Sequence, residues 1–248
     1  MDVASVKKVV QDTPQMSEEQ GRAMASFIKS HDIGDVLELG FRYGVSTCYM
    51  AGALQDLGRG HVTTIDREKM RDSKPNINVF LEKLGLAEYA TAWFEPTSYT
   101  WRLMRMLEEN PTPRFDLCYI DGAHDWFVDG FAFFLVDRLL RPGGWIIFDD
   151  VDWTFASSST LRTNKRIDAM PLEERTTPQV RKIYELLVRT HPSYDRFRVE
   201  DGWAYAHKSA ETVTDSARVV REVIVKRPLL SRSTATRLRQ LLPGRRQA

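Results

Sequence analysis

Apolar residues along the chain follow two alternating patterns: short, mostly apolar runs, and longer stretches where they recur every three or four positions. The runs Asp35–Leu39, His61–Ile65, Ala90–Phe94, Phe115–Ile120 and Gly144–Phe148 read as buried strands. Helix-periodic segments lie between them, at about Gly44–Leu57, Pro75–Leu84, Ser98–Leu107 and Phe127–Leu140. Ahead of the first strand, Ser17 and Gln20 form a capping-box pattern, and Met24, Phe27 and Ile28 then share one helix face up to about His31. This alternation predicts right-handed strand–helix–strand crossovers and a parallel sheet with helices on both faces. Past Asp152 the pattern lapses into a polar stretch, Ser157–Arg175, read as a lid-like excursion over the sheet edge within about 153–176. Helical periodicity returns at Gln179–Arg189. Two alternating runs, Arg196–Val199 and Trp203–Ala206, then flank a turn at Gly202 and predict an antiparallel hairpin at one edge of the sheet. The fold expected is therefore α/β: a doubly wound, seven-stranded sheet, mostly parallel, with an antiparallel C-terminal hairpin.

The 248 residues are 42% hydrophobic and 28% charged, which suits one large globular domain with a core of its own. Cys48 and Cys118 sit in apolar stretches and read as small core residues rather than a disulfide. The longest apolar runs, such as Phe131–Val136, fall far short of the ~20 residues of a membrane span. The N-terminus carries no apolar signal-like segment, so a cytoplasmic protein is expected. The net charge of +1 conceals an asymmetry, since from Arg218 onward there are nine Lys and Arg against one acid, Glu222. The body is thus acidic and gives no electrostatic reason to expect nucleic acid. We divide the chain into a domain over residues 1–210 and a basic tail over 211–248, with an amphipathic helix at Ser231–Leu242. That helix reads as a solvated or dimer-contacting face, with attachment to an acidic partner or membrane surface as the alternative. A homo-oligomer formed through the N-terminal helix or the tail stays open.

Ligands of doubly wound sheets bind beyond the carboxyl ends of the strands. The residues just past each run are Glu38 and Gly40 with Gly44, Asp66, Glu95 with Ser98, Asp121 with His124, and Asp149 with Asp150. An acid at each of five strand ends on one rim is electrostatically costly unless a ligand uses them. The segment Gly40–Gly44 can turn tightly at a helix start but lacks the third glycine of the G-x-G-x-x-G dinucleotide fingerprint. Asp66, at the end of the second strand, can accept hydrogen bonds from both hydroxyls of a ribose. An adenosine-type ligand without a pyrophosphate is the chemistry this combination suits.

The stretch VLELGFRYGVST resembles motif I of class I S-adenosylmethionine-dependent methyltransferases, and TTID resembles the acidic motif that follows it. YIDGAHDW, LLRPGGWIIFDDV and DGWAYAHK are similar to the later elements of that Rossmann-like fold. The likeness spans roughly Ser17–Lys208 and is nearest to small-molecule O-methyltransferases of the methyltransferase-24 type. It implies that Glu38 and Gly40 border the methionine moiety of S-adenosylmethionine and that Tyr43 and Gly44 complete the loop beneath it. By the same resemblance Asp66 holds the ribose, Glu95 or Ser98 lies near the adenine, and Asp121 faces the methionine end.

Asp121, Asp149 and Asp150 end neighbouring strands, and three carboxylates there suit Mg²⁺. His124, three residues beyond Asp121, is placed as a general base. The pattern resembles sugar O-methyltransferases acting on macrolides, but there the first of the later acids is Glu, and in catechol-type enzymes the second is Asn. A metal-free site using Asp121 for the cofactor amine, with His124 capping a helix, is the competing reading. Tyr43, Trp126, Trp153 and Phe155 are expected beside the site, and Arg162, Lys165 and Arg166 could meet an anionic acceptor. Asp125 and Asp152 are expected to be solvated, and His31, His61, His191 and His207 structural. The function expected is methyl transfer to a hydroxyl of a sugar, glycosylated natural product or phenol. N- or carboxyl methylation, a non-catalytic binding module and an iron oxygenase are the alternatives.

Overall fold

The computed structural model describes residues 1–13, 16–158, 161 and 164–210, without the side chain of Arg166. The expected tail helix Ser231–Leu242 and the side chains of Arg162 and Arg166 lie outside the described residues. Seven strands form one sheet: β1 (Asp35–Leu39), β2 (His61–Arg67), β3 (Ala90–Glu95), β4 (Phe115–Ile120), β5 (Leu140–Phe148), β6 (Tyr194–Glu200) and β7 (Trp203–Lys208). Their order is β3-β2-β1-β4-β5-β7-β6. The first five run parallel, β7 pairs antiparallel with β5, and β6 pairs antiparallel with β7. The predicted architecture and its closing hairpin are both present, with β5 beginning earlier and β6 two residues earlier than the apolar runs indicate.

Helices cover both faces. On one side lie α1 (Val3–Val10), α2 (Glu18–Ser30), α3 (Val45–Leu57) and α4 (Ile77–Lys83), sharing a core with Val36, Val62, Leu117, Tyr119 and Ile147. On the other lie α5 (Tyr99–Glu109) and α6 (Trp126–Leu139), which pack with Leu37, Ile65, Cys118 and Ile146. The polar excursion contains two short helices, α7 (Lys165–Asp168) and α8 (Leu172–Thr176). The final predicted helix is α9 (Gln179–Ile183), which continues as a π-helical turn over Tyr184–Val188. The helix α1 has no counterpart in the sequence reading: Asp2 caps it, and Val6 and Val10 bury on its inner side.

Local chemistry explains why the elements start where they do. Ser17 and Gln20 form the anticipated reciprocal cap on α2, satisfying two otherwise orphaned amides. Helix α3 is buried on all sides over Val45–Leu54, as a helix lying between a sheet and an outer helix layer is. Asp116, at the start of β4, accepts from the Gly34 and Asp35 amides at 3.0 and 2.8 Å and pairs with Arg141 at 2.6 Å. These contacts tie the amino ends of β1, β4 and β5 together. Both cysteines are buried and free. No helix among the described residues is long and apolar enough to cross a membrane.

Strand order reverses between β1 and β4, and a crevice opens at such a switch point beyond the carboxyl ends. The two chains meet there at Gly40, which has φ +88°, and a Cβ would overlap the Asp121 carbonyl. Only glycine meets both requirements.

Candidate active site

The loop leaving β1 is anchored by Asp66. One of its carboxylate oxygens accepts from the amides of Phe41 (3.1 Å) and Arg42 (2.7 Å), the other from Arg67 (2.6 Å). Arg42 is held at φ +46° by this contact, a region that non-glycine residues rarely occupy. Gly44, at φ +89°, starts α3 where a Cβ would run into Ile77. A carboxylate has about four acceptor positions, so Asp66 keeps capacity toward the cleft it lines.

Glu38 is wholly buried beneath that loop and accepts hydrogen bonds from the hydroxyls of Ser46 and Thr47. Burial pushes its carboxyl up to about 7, against the pull of those two donors. It does not reach the cleft surface. Neither does Glu95, which is buried against Arg102 in an ion pair. Of the two residues expected near the adenine, Ser98 is therefore the one exposed to the cleft, where it caps α5 through the Thr100 amide.

At the end of β4, Asp121 Oδ1 lies 3.1 Å from His124 Nε2, and His124 Nδ1 lies 3.7 Å from Asp150. His124 and Asp150 both adopt left-handed backbone conformations, at φ +55° and +52°. Such strain gathers where a structure over-determines a functional turn. Burial opposes the imidazolium, but the Asp121 hydrogen bond and the charges of Asp121, Asp129 and Asp150 outweigh it and push His124 up to about 9.

The expected trio of carboxylates is not what the structure gathers. One oxygen of Asp149 takes the buried Tyr119 hydroxyl and the other takes the Asp150 amide at 2.7 Å. The group whose ligand atoms lie within 4.8 Å of one another is Asp121, His124 and Asp150. An imidazole thus stands where a carboxylate was expected, because Tyr119 has turned Asp149 aside.

These residues open on one cleft of about 860 Å³, within the range of ~300–1,000 Å³ usual for small-ligand sites. Its walls include Gly40, Tyr43, Asp66, Ser98, Asp121 and His124, with Asp149 and Asp150. The donor set fits a nucleoside with a charged amino-acid arm: an acid for ribose hydroxyls at β2, polar groups at α5, and acids at β4. The polar excursion supplies the outer wall through Trp153, Phe155, Leu161, Asn164 and Ile167. Ring centroids of His124 and Trp153, and of Trp153 and Phe155, lie 5.0 Å apart edge to face.

Some expectations need correction. Trp126 is 36% exposed and lies outside the cleft wall, because it sits on the outer side of α6. Asp125 is not solvated: it is buried and caps α6 by accepting from the Val128 amide at 2.6 Å. Asp152 is exposed, as expected, and pairs with Arg181. Lys165 lies on α7 but is absent from the cleft wall. The sequence reading passed over Tyr99, Tyr119 and Asp129. Asp129 had a signal, since a lone acid in the apolar run Trp126–Val136 must be paired if that helix is buried.

A doubly wound sheet with this strand order and a cleft at its switch point is the architecture of class I methyltransferases. The chain shares it with an O-methyltransferase of Bacillus cereus solved with S-adenosylhomocysteine: 22% identity, 84% of this chain and 92% of that one, TM-score 0.60. It shares it also with TomG of Streptomyces achromogenes, an O-methyltransferase of tomaymycin synthesis solved with S-adenosylmethionine, at 20% identity, 84% and 89% coverage and TM-score 0.59. A third is a Podospora anserina methyltransferase bound to S-adenosylhomocysteine, at 19% identity, 84% and 87% coverage and TM-score 0.59. No curated protein sequence matches the chain. Residues 37–151, a little under half of the chain, match the family model described as a methyltransferase domain.

Proposed function

We propose that the protein is an S-adenosylmethionine-dependent O-methyltransferase acting on a hydroxyl of a small molecule, with His124 as the general base. The observation that carries this reading is the Asp121–His124 pair at the end of β4, facing the same cleft as Asp66 and Ser98. In this assignment Asp66 receives the ribose hydroxyls, Ser98 borders the adenine, and Gly40 with Tyr43 lines the amino-acid arm. Glu38 supports the loop from below through Ser46 and Thr47, and Gly44 starts the helix. Bound there, S-adenosylmethionine supplies an electrophilic sulfonium methyl group.

What the chain itself must do is place a hydroxyl oxygen in line and take its proton. His124 accepts that proton at a ring nitrogen in its neutral form, which its raised pKa of about 9 makes the minority form at pH 7, and Asp121 stabilises the imidazolium that results. The Trp153–Phe155 wall excludes water from one side. The acceptor is a sugar, a glycosylated natural product or a phenol, held between that wall and His124. The domain comprises residues 1–210, and the excursion at about 153–176 acts as its lid.

A second reading has a specific observation behind it: the convergence of Asp121, His124 and Asp150 suits a divalent cation such as Mg²⁺. His124 would then be a ligand and not the base; the cation would supply Lewis acidity that lowers the pKa of an acceptor hydroxyl, whose proton would pass to solvent.

The test is calorimetric titration with S-adenosylhomocysteine, followed by a methyl-transfer assay over phenols and sugars. Binding at one site per chain with methylation of a hydroxyl supports the proposal. No binding, or methyl transfer confined to amines, overturns it.

A further inference from the structure

The loop that presents His124 rests on two residues that touch none of the proposed ligands' reacting atoms. Asp129, one turn into α6, is 1% exposed. Its Oδ2 accepts from the His124 amide at 2.7 Å. Its Oδ1 takes the Tyr99 hydroxyl and, at 3.4 Å, the Ala123 amide. The Tyr99 oxygen accepts in turn from the Ala123 amide at 3.1 Å. Every partner of Asp129 in this network is a donor, an arrangement that suits a carboxylate with no proton of its own and works against the burial that raises its pKa. Burial, and then the Asp129 charge, hold the Tyr99 hydroxyl well above its ordinary pKa range, so it remains a donor.

We infer that Asp129 and Tyr99 are positioning residues, a buried clamp that fixes the left-handed turn at His124 and so sets the imidazole against Asp121. The space at the turn agrees with this assignment. A Cβ on Gly122 would overlap the Tyr99 hydroxyl, so the chain passes directly over the clamp. The clamp also spans two parts of the site, because Tyr99 is the first residue of α5 and its ring lines the cleft beside Ser98. The amide of His124 sits at the strained φ of +55°, and the Asp129 hydrogen bond is what holds it there. Without the clamp the turn relaxes toward ordinary backbone angles and carries the imidazole away from Asp121. A displacement of about 1 Å costs a positioned group on the order of 100-fold in rate.

This inference rests on the methyltransferase reading for its kinetic arm, and on geometry alone for its structural arm. Tyr99→Phe keeps the ring in the cleft wall and removes only the hydroxyl. Asp129→Asn keeps an acceptor for the His124 amide, whereas Asp129→Ala removes both. The measurements are amide hydrogen exchange across residues 121–125, the dissociation constant for S-adenosylhomocysteine, and kcat and KM on the best acceptor of the phenol and sugar panel. Exchange at Ala123 and His124 should quicken several-fold in all three variants. The kcat should fall about 10-fold in Tyr99→Phe and Asp129→Asn, and about 100-fold in Asp129→Ala. KM for S-adenosylmethionine and the S-adenosylhomocysteine affinity should stay within about threefold, an order-of-magnitude allowance for unperturbed binding. Unchanged exchange and kcat in folded Tyr99→Phe and Asp129→Asn would overturn the inference. So would a loss of cofactor affinity in step with kcat, which marks general damage to the cleft. Failure of the wild-type protein to bind S-adenosylhomocysteine defeats the methyltransferase reading instead, and the exchange data still decide on the clamp.

Discussion

The imidazole of His124 meets the carboxylate of Asp121 at 3.1 Å, Nε2 to Oδ1, across a three-residue turn. Only that turn separates the end of β4 from the proposed base. Asp150 approaches the other ring nitrogen from β5 at 3.7 Å. The histidine is therefore flanked by carboxylates contributed by two adjacent strands.

Replacing His124 with Asn preserves tolerance of the left-handed backbone and removes the base. Turnover should fall by about 100-fold or more, the usual contribution of a positioned general base. Cofactor affinity should change little. Steady-state kinetics together with calorimetry separate these quantities, and full turnover in the Asn variant would remove His124 from the chemistry.

Asp66 holds the Phe41 and Arg42 amides and, in the proposed assignment, also receives the ribose. Asp66→Ala should weaken S-adenosylhomocysteine binding by roughly 10- to 100-fold, the loss of one or two charged hydrogen bonds. An unaltered dissociation constant would assign the ribose to other residues.

The cation reading has its own signature. Adding Mg²⁺ to protein previously treated with EDTA should raise the thermal midpoint by a few degrees, as preferential binding to the native state requires. Asp150→Asn should abolish the shift. No shift in the wild-type protein would withdraw the cation from the site.

Glu38 makes stability depend on pH. Its carboxyl is raised from 4.5 to about 7 in the folded chain, chiefly by burial. Between those values the native state holds a proton that the unfolded state has lost, so stability falls as pH rises through this window. The full difference is about 3 kcal/mol, complete above pH 7 and absent below about 4. Urea unfolding at pH 5 and pH 8 should show less of this decline in Glu38→Gln than in the parent chain. An identical pH slope in the two proteins would mean that Glu38 is ionised without penalty.

The five parallel strands were legible because strands buried on both faces read as near-continuous apolar runs, and Trp145–Phe148 is such a run. The rim residues followed from them: Asp66, Asp121 and Asp150 stand where the runs stop. Partners brought together by the fold were not legible. Asp116 meets the Gly34 and Asp35 amides across more than eighty positions, and no local pattern marks it for that role. Asp149 looked equivalent to Asp150 in sequence, yet Tyr119, thirty residues earlier, decides which of the two turns away. Asp125 looked like a surface acid because its neighbours are polar on one side only, and its role as a helix cap depends on where α6 begins.

The position of β7 bears on how the chain is made. It is the last strand in sequence among the described residues, yet it lies between β5 and β6. Its first residue, Trp203, packs edge-on against Tyr119, the residue that holds Asp149. A growing polypeptide that has not yet delivered residues 203–208 leaves the edge of β5 unpaired and Tyr119 without that neighbour. Domains fold as units during synthesis, and exposed strand edges are where they go astray. The chemistry-bearing end of the sheet is therefore complete only after residues 203–208 are made, and a ribosome stalled before Trp203 would hold a chain with most of its sheet and an unfinished site.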